Sequence, residues 1–220
     1  MRGQIPDKDD FINLALDGKL FLYANSVNTH YNKHTSDENI IHDMDRLITK
    51  TEEKRDNNLP FSQLAESHFE PDDTNVDDIN EYVTMMFADA ISQNVKDKKD
   101  NILDKLENAK HGETVSFTTK INGYDFVGKG VRYNRPNCTM EEVETPAITM
   151  VFKRNYASYV GFDFVTAYPD LNHTDAKPTG RNISRELSQV PSYKKLNVVT
   201  QMYYKAAVSD STIKPDYNSH

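Results

Sequence analysis

One cysteine, Cys138, stands in 220 residues. It can form no intrachain disulfide and no thiolate metal cluster. Within Pro136-Asn-Cys-Thr139 it reads as a bystander thiol in a turn rather than a nucleophile. No apolar run approaches the roughly 20 residues that span a bilayer. Met1 leads straight into Asp7-Lys-Asp-Asp10 with no apolar stretch of the signal-peptide kind. The expectation is a soluble, cytoplasmic chain without membrane contact, although export without a cleaved signal leaves the same pattern. Also missing are a Gly-rich loop followed by Lys-Ser/Thr, a GxGxxG and a GxSxG elbow, and Gly128-Lys-Gly130 is too short to replace them. Nucleotide binding through those motifs and α/β-hydrolase chemistry are set aside on that ground. His30, His34 and His42 lack both a helical pattern and the glutamate of an HExxH, so they read as solvated histidines and no metal is expected.

What is present points to an ordered chain. Apolar residues make up 37% and charged residues 27%, but 12 tyrosines and 10 phenylalanines argue against general disorder. The length suits one large domain or two small ones. The net charge of −8 is uneven: residues 1–110 hold 13 Lys/Arg against 23 Asp/Glu, and residues 111–220 hold 13 against 11. The first half would repel nucleic acid while the second could tolerate it. The plainer alternative is that the acids form a solvated helical face.

The first half has helical periodicity. Asp10 to Leu16 is a short amphipathic segment ended by Gly18. Ser36 to Lys54 carries Ile40, Ile41, Met44, Leu47 and Ile48 as one stripe. A short helix is expected near Phe61–Ser67, and His68 to Thr74 reads as an acidic surface loop. From Val76 to Lys110, Ile79, Val83, Met86, Phe87, Ile91 and Val95 form a stripe resumed by Ile102, Leu103 and Leu106, as two helices or one with an exposed middle.

At Gly112 the period changes to two. Thr114–Ile121, Tyr124–Tyr133, Ala147–Arg154 and Tyr159–Tyr168 read as four strands. Asn122-Gly123 joins the first pair as a hairpin turn. Gly128 and Gly130 signal a bulge or a close backbone approach. Asn134–Thr145 reads as an acidic link, 170–181 as a polar loop, 184–189 as a short helix and 193–208 as a last helical segment. The expected architecture is α+β, with a helical N-terminal half, a four-stranded antiparallel meander and a short C-terminal helix. The domains expected are a helical region over 1–75 and an α+β domain over 76–220.

The fourth strand ends in Phe164-Val-Thr-Ala-Tyr-Pro169. Thr166 and Tyr168 share a face, and Pro169 is expected to end the pairing. His111 and His173 flank the first and last strands, and Lys120, Lys129, Arg132, Lys153 and Arg154 lie on or beside strands. RNA cleavage by 2′-hydroxyl attack needs a base, an acid and cations for the phosphorane charge, and needs no metal or cofactor. His111 and His173 are the candidate base and acid. Lys129, Arg132 and Arg154 are the candidate phosphate ligands, and Thr166 and Tyr168 complete the proposed catalytic set. For each cation the plainer reading is a solvated strand residue.

Over residues 76–170 this arrangement resembles the barnase/EndoU/colicin/RelE-type (BECR) RNase toxins, through Thr166, Tyr168 and Pro169 of the TAYP-like strand end. The resemblance implies active-site roles for Thr166 and Tyr168, with His111 as a looser analogue of a histidine before the sheet. In that family the pair usually lies near the C-terminus, whereas about fifty residues follow here. It implies a metal-independent endoribonuclease-like toxin or phage/mobile-element nuclease, RNA as substrate and a neutralising immunity or antitoxin protein as partner. The reading from another class is a non-catalytic phage or mobile-element interaction protein, whose acidic helical half binds a basic partner or mimics nucleic acid.

Overall fold

Each principal helix starts on a side chain that answers its unpaired N–H groups, a requirement of every helix end. In the computed structural model, which describes residues 3–24, 39–57, 64–71, 78–97, 99–134 and 139–208, α1 (Lys8–Leu16) begins where Asp7 accepts the Asp10 N–H at 2.9 Å. It ends before Gly18, whose φ of 65° is left-handed. A 3₁₀ turn, Lys19–Tyr23, follows. Asn39 caps α2 (Ile40–Asp56), accepting from Ile41 at 2.9 Å and His42 at 3.3 Å. Asp78 caps α3 (Ile79–Asn94), and Asn101 caps α4 (Ile102–Asn108). The long periodic segment is thus two helices, and buried Asn94 stitches the break. Its amide donates to the Asp100 carbonyl and its oxygen accepts the Ile102 N–H, both at 2.8 Å. Short helices α5 (Ser184–Leu187), α6 (Pro191–Lys195) and α7 (Val198–Val208) close the described chain; the helix expected at 184–189 is present as α5, and the last expected segment is divided into α6 and α7.

The strands form two antiparallel sheets rather than one meander. The first is ordered β2 (Thr114–Lys120), β5 (Ala147–Arg154), β6 (Phe162–Pro169). The second is ordered β1 (Leu64–Phe69), β3 (Gly128–Asn134), β4 (Thr139–Thr145), β7 (Lys177–Pro178). Three expectations are corrected by this. Asn122-Gly123 does turn the chain, with Gly123 at φ 92°, but β2 and β3 do not pair. The Val127 N–H already bonds to Thr145, so the chain has entered the second sheet before β3 begins. Leu64–Phe69 is a strand, not a short helix followed by loop.

The acidic link also contains a strand, β4, whose glutamates stand opposite or beside cations. Glu141 and Glu144 stand opposite Arg132 and Lys129 in register, and Glu142 receives Thr179 at 2.6 Å and Arg181 at 3.0 Å. Residues 135–138, with Cys138, and residues 25–38, with His30 and His34, lie outside the described set.

Two cores result. α1, α3 and α4 cover the β2-β5-β6 sheet around Phe11, Phe87, Phe117, Phe152, Phe162 and Phe164. Phe152 and Phe162 meet edge to face at 5.4 Å, a favoured geometry for paired rings. α2, α5, α6 and α7 cover the other sheet around Met44, Leu47, Ile48, Val131, Tyr204 and Val208. The sheets meet where β6 approaches β1 and where β4 runs through Pro146 into β5. Among the described residues no helix is long and apolar enough to cross a membrane.

Gly128 and Gly130 mark a close approach, one of the two alternatives their spacing left open. A Cβ on Gly130 would stand 2.1 Å from the Glu66 carbonyl oxygen and 2.6 Å from the Ser67 Cα. Both are backbone atoms of the paired strand, so β1 must move to admit a methyl. Gly130→Ala is therefore expected to cost about 1–3 kcal/mol, read as a lowered midpoint in urea denaturation. An unchanged midpoint would show that the two strands are not held this closely.

Candidate functional site

The strand end is built as its alternation required. Thr166 pairs with Val151 and Tyr168 with Thr149, leaving both side chains on the face of the sheet away from the phenylalanine core. Across that face runs a polar row, in which the Thr118 and Thr149 hydroxyls lie 2.7 Å apart and Tyr168 follows on β6. Burial raises the Tyr168 phenol, the charge of Asp170 raises it further, and a hydrogen bond with Thr149 opposes both. The buried Thr166 hydroxyl finds no hydrogen-bond partner among the described residues. Pro169 is itself buried and paired with Ile148, and the ladder continues one residue further, with Asp170 N–H donating to Ala147 at 2.9 Å. The proline therefore does not end the pairing. Its carbonyl accepts the Ser67 hydroxyl at 2.9 Å, joining the two sheets.

The two candidate histidines stand at opposite ends of the first sheet. His111 is exposed beside the start of β2, where its Nδ1 accepts the Tyr156 N–H at 3.1 Å. His173 lies in the turn after β6, where its Nδ1 accepts the Asp175 N–H at 3.2 Å. Six steps of β2 separate these ends, which at about 3.3 Å each is roughly 20 Å. His173 is the one that shares an end with Tyr168.

The candidate cations are also dispersed. Lys129 bonds Glu70 at 2.7 Å on the α2 side of β3. Arg132, on the opposite side, bonds Glu141 at 2.6 Å and the Leu171 carbonyl at 2.9 Å. Arg154 is buried at the far end, donating to the Gly161 carbonyl and lying 4.6 Å over the Tyr156 ring. The charge nearest Tyr168 is mixed. Asp170 lies beside it, and Asp175 sits 3.4 Å from Lys120. A cavity of about 250 Å³ at the sheet joint is lined by Tyr168, Asp170, Asn172, Ser67, Glu66 and Lys50.

The strongest concentration of ionised groups lies elsewhere, where α2 packs on the second sheet. Asp43, Arg46 and Lys50 occupy one face of α2, and Glu66, His68 and Glu70 alternate along β1 and its exit. They alternate in sign as Lys50, Glu66, Arg46, Asp43, His68, Glu70, Lys129. Asp43 has no exposed surface; its carboxylate meets His68 Nδ1 at 2.7 Å and Arg46 at 2.6 Å. Glu70 lies 3.3 Å from His68 Nε2. Burial alone would lower the imidazole, but the bonds to Asp43 and Glu70 and their charges outweigh it, raising His68 to about 9. The His68 contact, against the cost of burial and with help from Lys129, lowers Glu70 to about 2. With both ring nitrogens bonded to carboxylates, His68 is a held cation and offers no lone pair for base catalysis or a metal. Among the described residues no group of three or more His, Cys, Asp or Glu side chains is placed to hold a metal ion.

A third feature is an open groove of about 670 Å³ along α1. Asp7, Asp10, Asp17 and Glu107 line it with Leu14 and Tyr159, and its lysine, Lys19, is bonded to Asp17 at 2.7 Å. No protein-family model matches the chain, and no curated protein or solved structure is significantly similar to it.

The charged chain sets a pH window for stability. His68 is raised, so its contribution is complete below its ordinary value of 6.5 and is lost as pH rises through about 9. Glu70 is lowered, so its contribution is complete above 4.5 and is lost as pH falls through about 2. Both are present together between pH 4.5 and 6.5. Denaturation of the parent minus that of His68→Gln across pH should show the alkaline loss. An identical alkaline limb in the two proteins would refute the assignment. Asp43→Ala, which strands two cations, is expected to cost about 3–5 kcal/mol.

Proposed function

We propose that this chain is a non-catalytic interaction protein whose acidic helical side receives a basic partner. The α1 groove carries this reading. Four carboxylates from α1, its flanks and α4 converge there on one open surface with apolar and aromatic lining. A partner bearing lysines or arginines gains Coulomb attraction over the whole approach, and Leu14 and Tyr159 offer apolar area for its side chains. The groove is open rather than enclosed, which suits a macromolecular surface better than a small ligand.

The charge at the strand end supports the same choice. Phosphoryl chemistry on RNA requires positive charge where the phosphorane forms. Around Tyr168 and His173 stand Asp170 and Asp175, and the candidate cations Lys129 and Arg132 are bonded to glutamates on opposite sides of β3. That end offers a polyanion carboxylates mixed with Lys120 and Lys177 rather than a concentration of positive charge.

The test uses a fluorescently labelled Lys/Arg-rich peptide and the full chain at low salt. Anisotropy is expected to report binding that weakens at least about tenfold in Asp10→Lys with Glu107→Lys, and that falls with added salt as exposed charges are screened. In parallel, total tRNA is incubated with the parent in EDTA beside Thr166→Ala, Tyr168→Phe and His173→Ala. Inert protein in that arm, with peptide bound in the other, is the expected pair of results. Cleavage that the three substitutions abolish would overturn this proposal in favour of an endoribonuclease.

A further inference from the structure

The α6–α7 segment has the chemistry that the groove lacks. Residues 191–208 contain Lys194, Lys195 and Lys205 and no Asp or Glu. α7 buries Tyr204, Ala207 and Val208 in the second core. Yet it also exposes Val198 (73%), Val199 (63%), Met202 (65%) and Tyr203 (41%). Val199, Met202, Tyr203 and half-buried Ala206 follow the i, i+3, i+4, i+7 spacing of a single helical stripe. The helix is thus apolar on two sides, and Lys205 stands beside the second of them. An exposed apolar patch on a helix, rimmed by charge, is the surface of an interaction site.

Resting on the reading of the groove above, we propose that its basic partner is a second copy of this chain, docking through α6–α7. The two surfaces are complementary in both respects that matter. One presents Asp7, Asp10 and Glu107, with Asp17 paired to Lys19, around Leu14 and Tyr159; the other presents Lys205 beside Val199, Met202 and Tyr203, with Lys194 and Lys195 on the preceding helix α6. A chain does not join its own pair, because α1 packs on α3 in the first core while α7 packs on β4 in the second. The contact is therefore heterologous. Each copy keeps one unused surface at either end, so assembly proceeds head to tail.

Sedimentation velocity on the full chain, over a concentration series at low salt, tests this. Species larger than a dimer are expected to grow with concentration and to dissolve at high salt. Met202→Asp with Tyr203→Asp disables one surface, and Asp10→Lys with Glu107→Lys disables the other. All four positions are exposed, and circular dichroism confirms that each variant is folded. Each variant alone is expected to be monomeric, and an equimolar mixture of the two should give a heterodimer and nothing larger. Three results overturn the proposal: a parent that stays monomeric, a groove variant that dimerises by itself through α7, or a mixture that fails to pair. A monomeric parent that still captures the Lys/Arg-rich peptide would remove the self-association alone and leave the basic-partner reading standing. Binding of a monomeric parent to anionic lipid vesicles through α7 would likewise overturn the second-copy assignment.

Discussion

Asp43 carries a carboxylate with no exposed surface, and its neighbours are arranged to keep that charge answered. A buried ion recovers its lost hydration only through close partners of opposite sign. Asp43 has two, one from its own helix and one from β1, and each partner is shared with a further carboxylate. The alternation ends at Lys50, which is half-exposed, and at Lys129. Removing an inner member unbalances its neighbours, whereas an end member can be replaced by water. The chain fixes α2 against β1 and β3, and Asp45 on the same helix accepts the Ser192 N–H of α6 at 2.6 Å. Helices α6 and α7 are therefore positioned, through α2, by the same ionic contact that holds α2 on β1.

This anchoring explains how a chain of modest apolar content sustains two cores. The phenylalanine-rich cluster under α1 and α3 is held mainly by area removed from water. The second cluster is smaller, and polar contacts supplement it: Tyr204 donates to Glu52 at 2.9 Å, and Glu142 is bonded to Thr179 and Arg181. Ionic contacts fix position more sharply than apolar ones because a displaced partner leaves a desolvated charge. Keeping the cores apart also keeps the two outer surfaces apart. Acidic α1 faces solvent from one core and lysine-flanked α7 from the other.

The elements that could be read from sequence were those whose hydrophobic period matched their local structure. The stripes through Met44, Leu47 and Ile48 and through Val83, Met86 and Phe87 specify helices because little else satisfies a spacing of three and four. Alternation around Phe117, Met150 and Phe164 specifies strands for the same reason. β1 and β4 were hidden because their alternating partners are charged. Glu66-Ser-His-Phe-Glu70 has a period of two, but its inward residues are ionised and resemble loop composition until Asp43, Arg46 and Lys50 are set opposite them. Asp43, Arg46 and Lys50 were visible as an i, i+3, i+7 set beside the apolar stripe, and Glu66, His68 and Glu70 as a period-two set. Only tertiary pairing reveals that the two sets belong together. Sheet partnership was hidden for a related reason. Asn-Gly dictates a reversal but not which strand the reversed chain joins, and Val127 found Thr145 instead.

The same distinction bears on Thr-x-Tyr-Pro. Two sheets meeting at an angle must satisfy the backbone groups that neither ladder reaches. Here the Pro169 carbonyl takes the Ser67 hydroxyl, the Asp170 carbonyl takes the Thr145 hydroxyl at 2.9 Å, and the Asp170 side chain receives the Asn172 N–H at 2.9 Å. A proline suits the position because it sits against Gly128, where only a missing Cβ leaves room for its ring. A tyrosine suits the residue before it because a phenol can be half-buried against Thr149 while its apolar ring closes the joint. These contacts account for Tyr168, Pro169 and Asp170 through packing and backbone satisfaction, whereas the buried Thr166 hydroxyl has no partner among the described residues. At the α1 groove Asp7 and Asp17 are likewise used by the fold, as helix cap and as partner of Lys19, whereas Val199 and Met202 on α7 stay exposed. It is at exposed apolar surfaces of this kind that a partner adds free energy which folding has not already used.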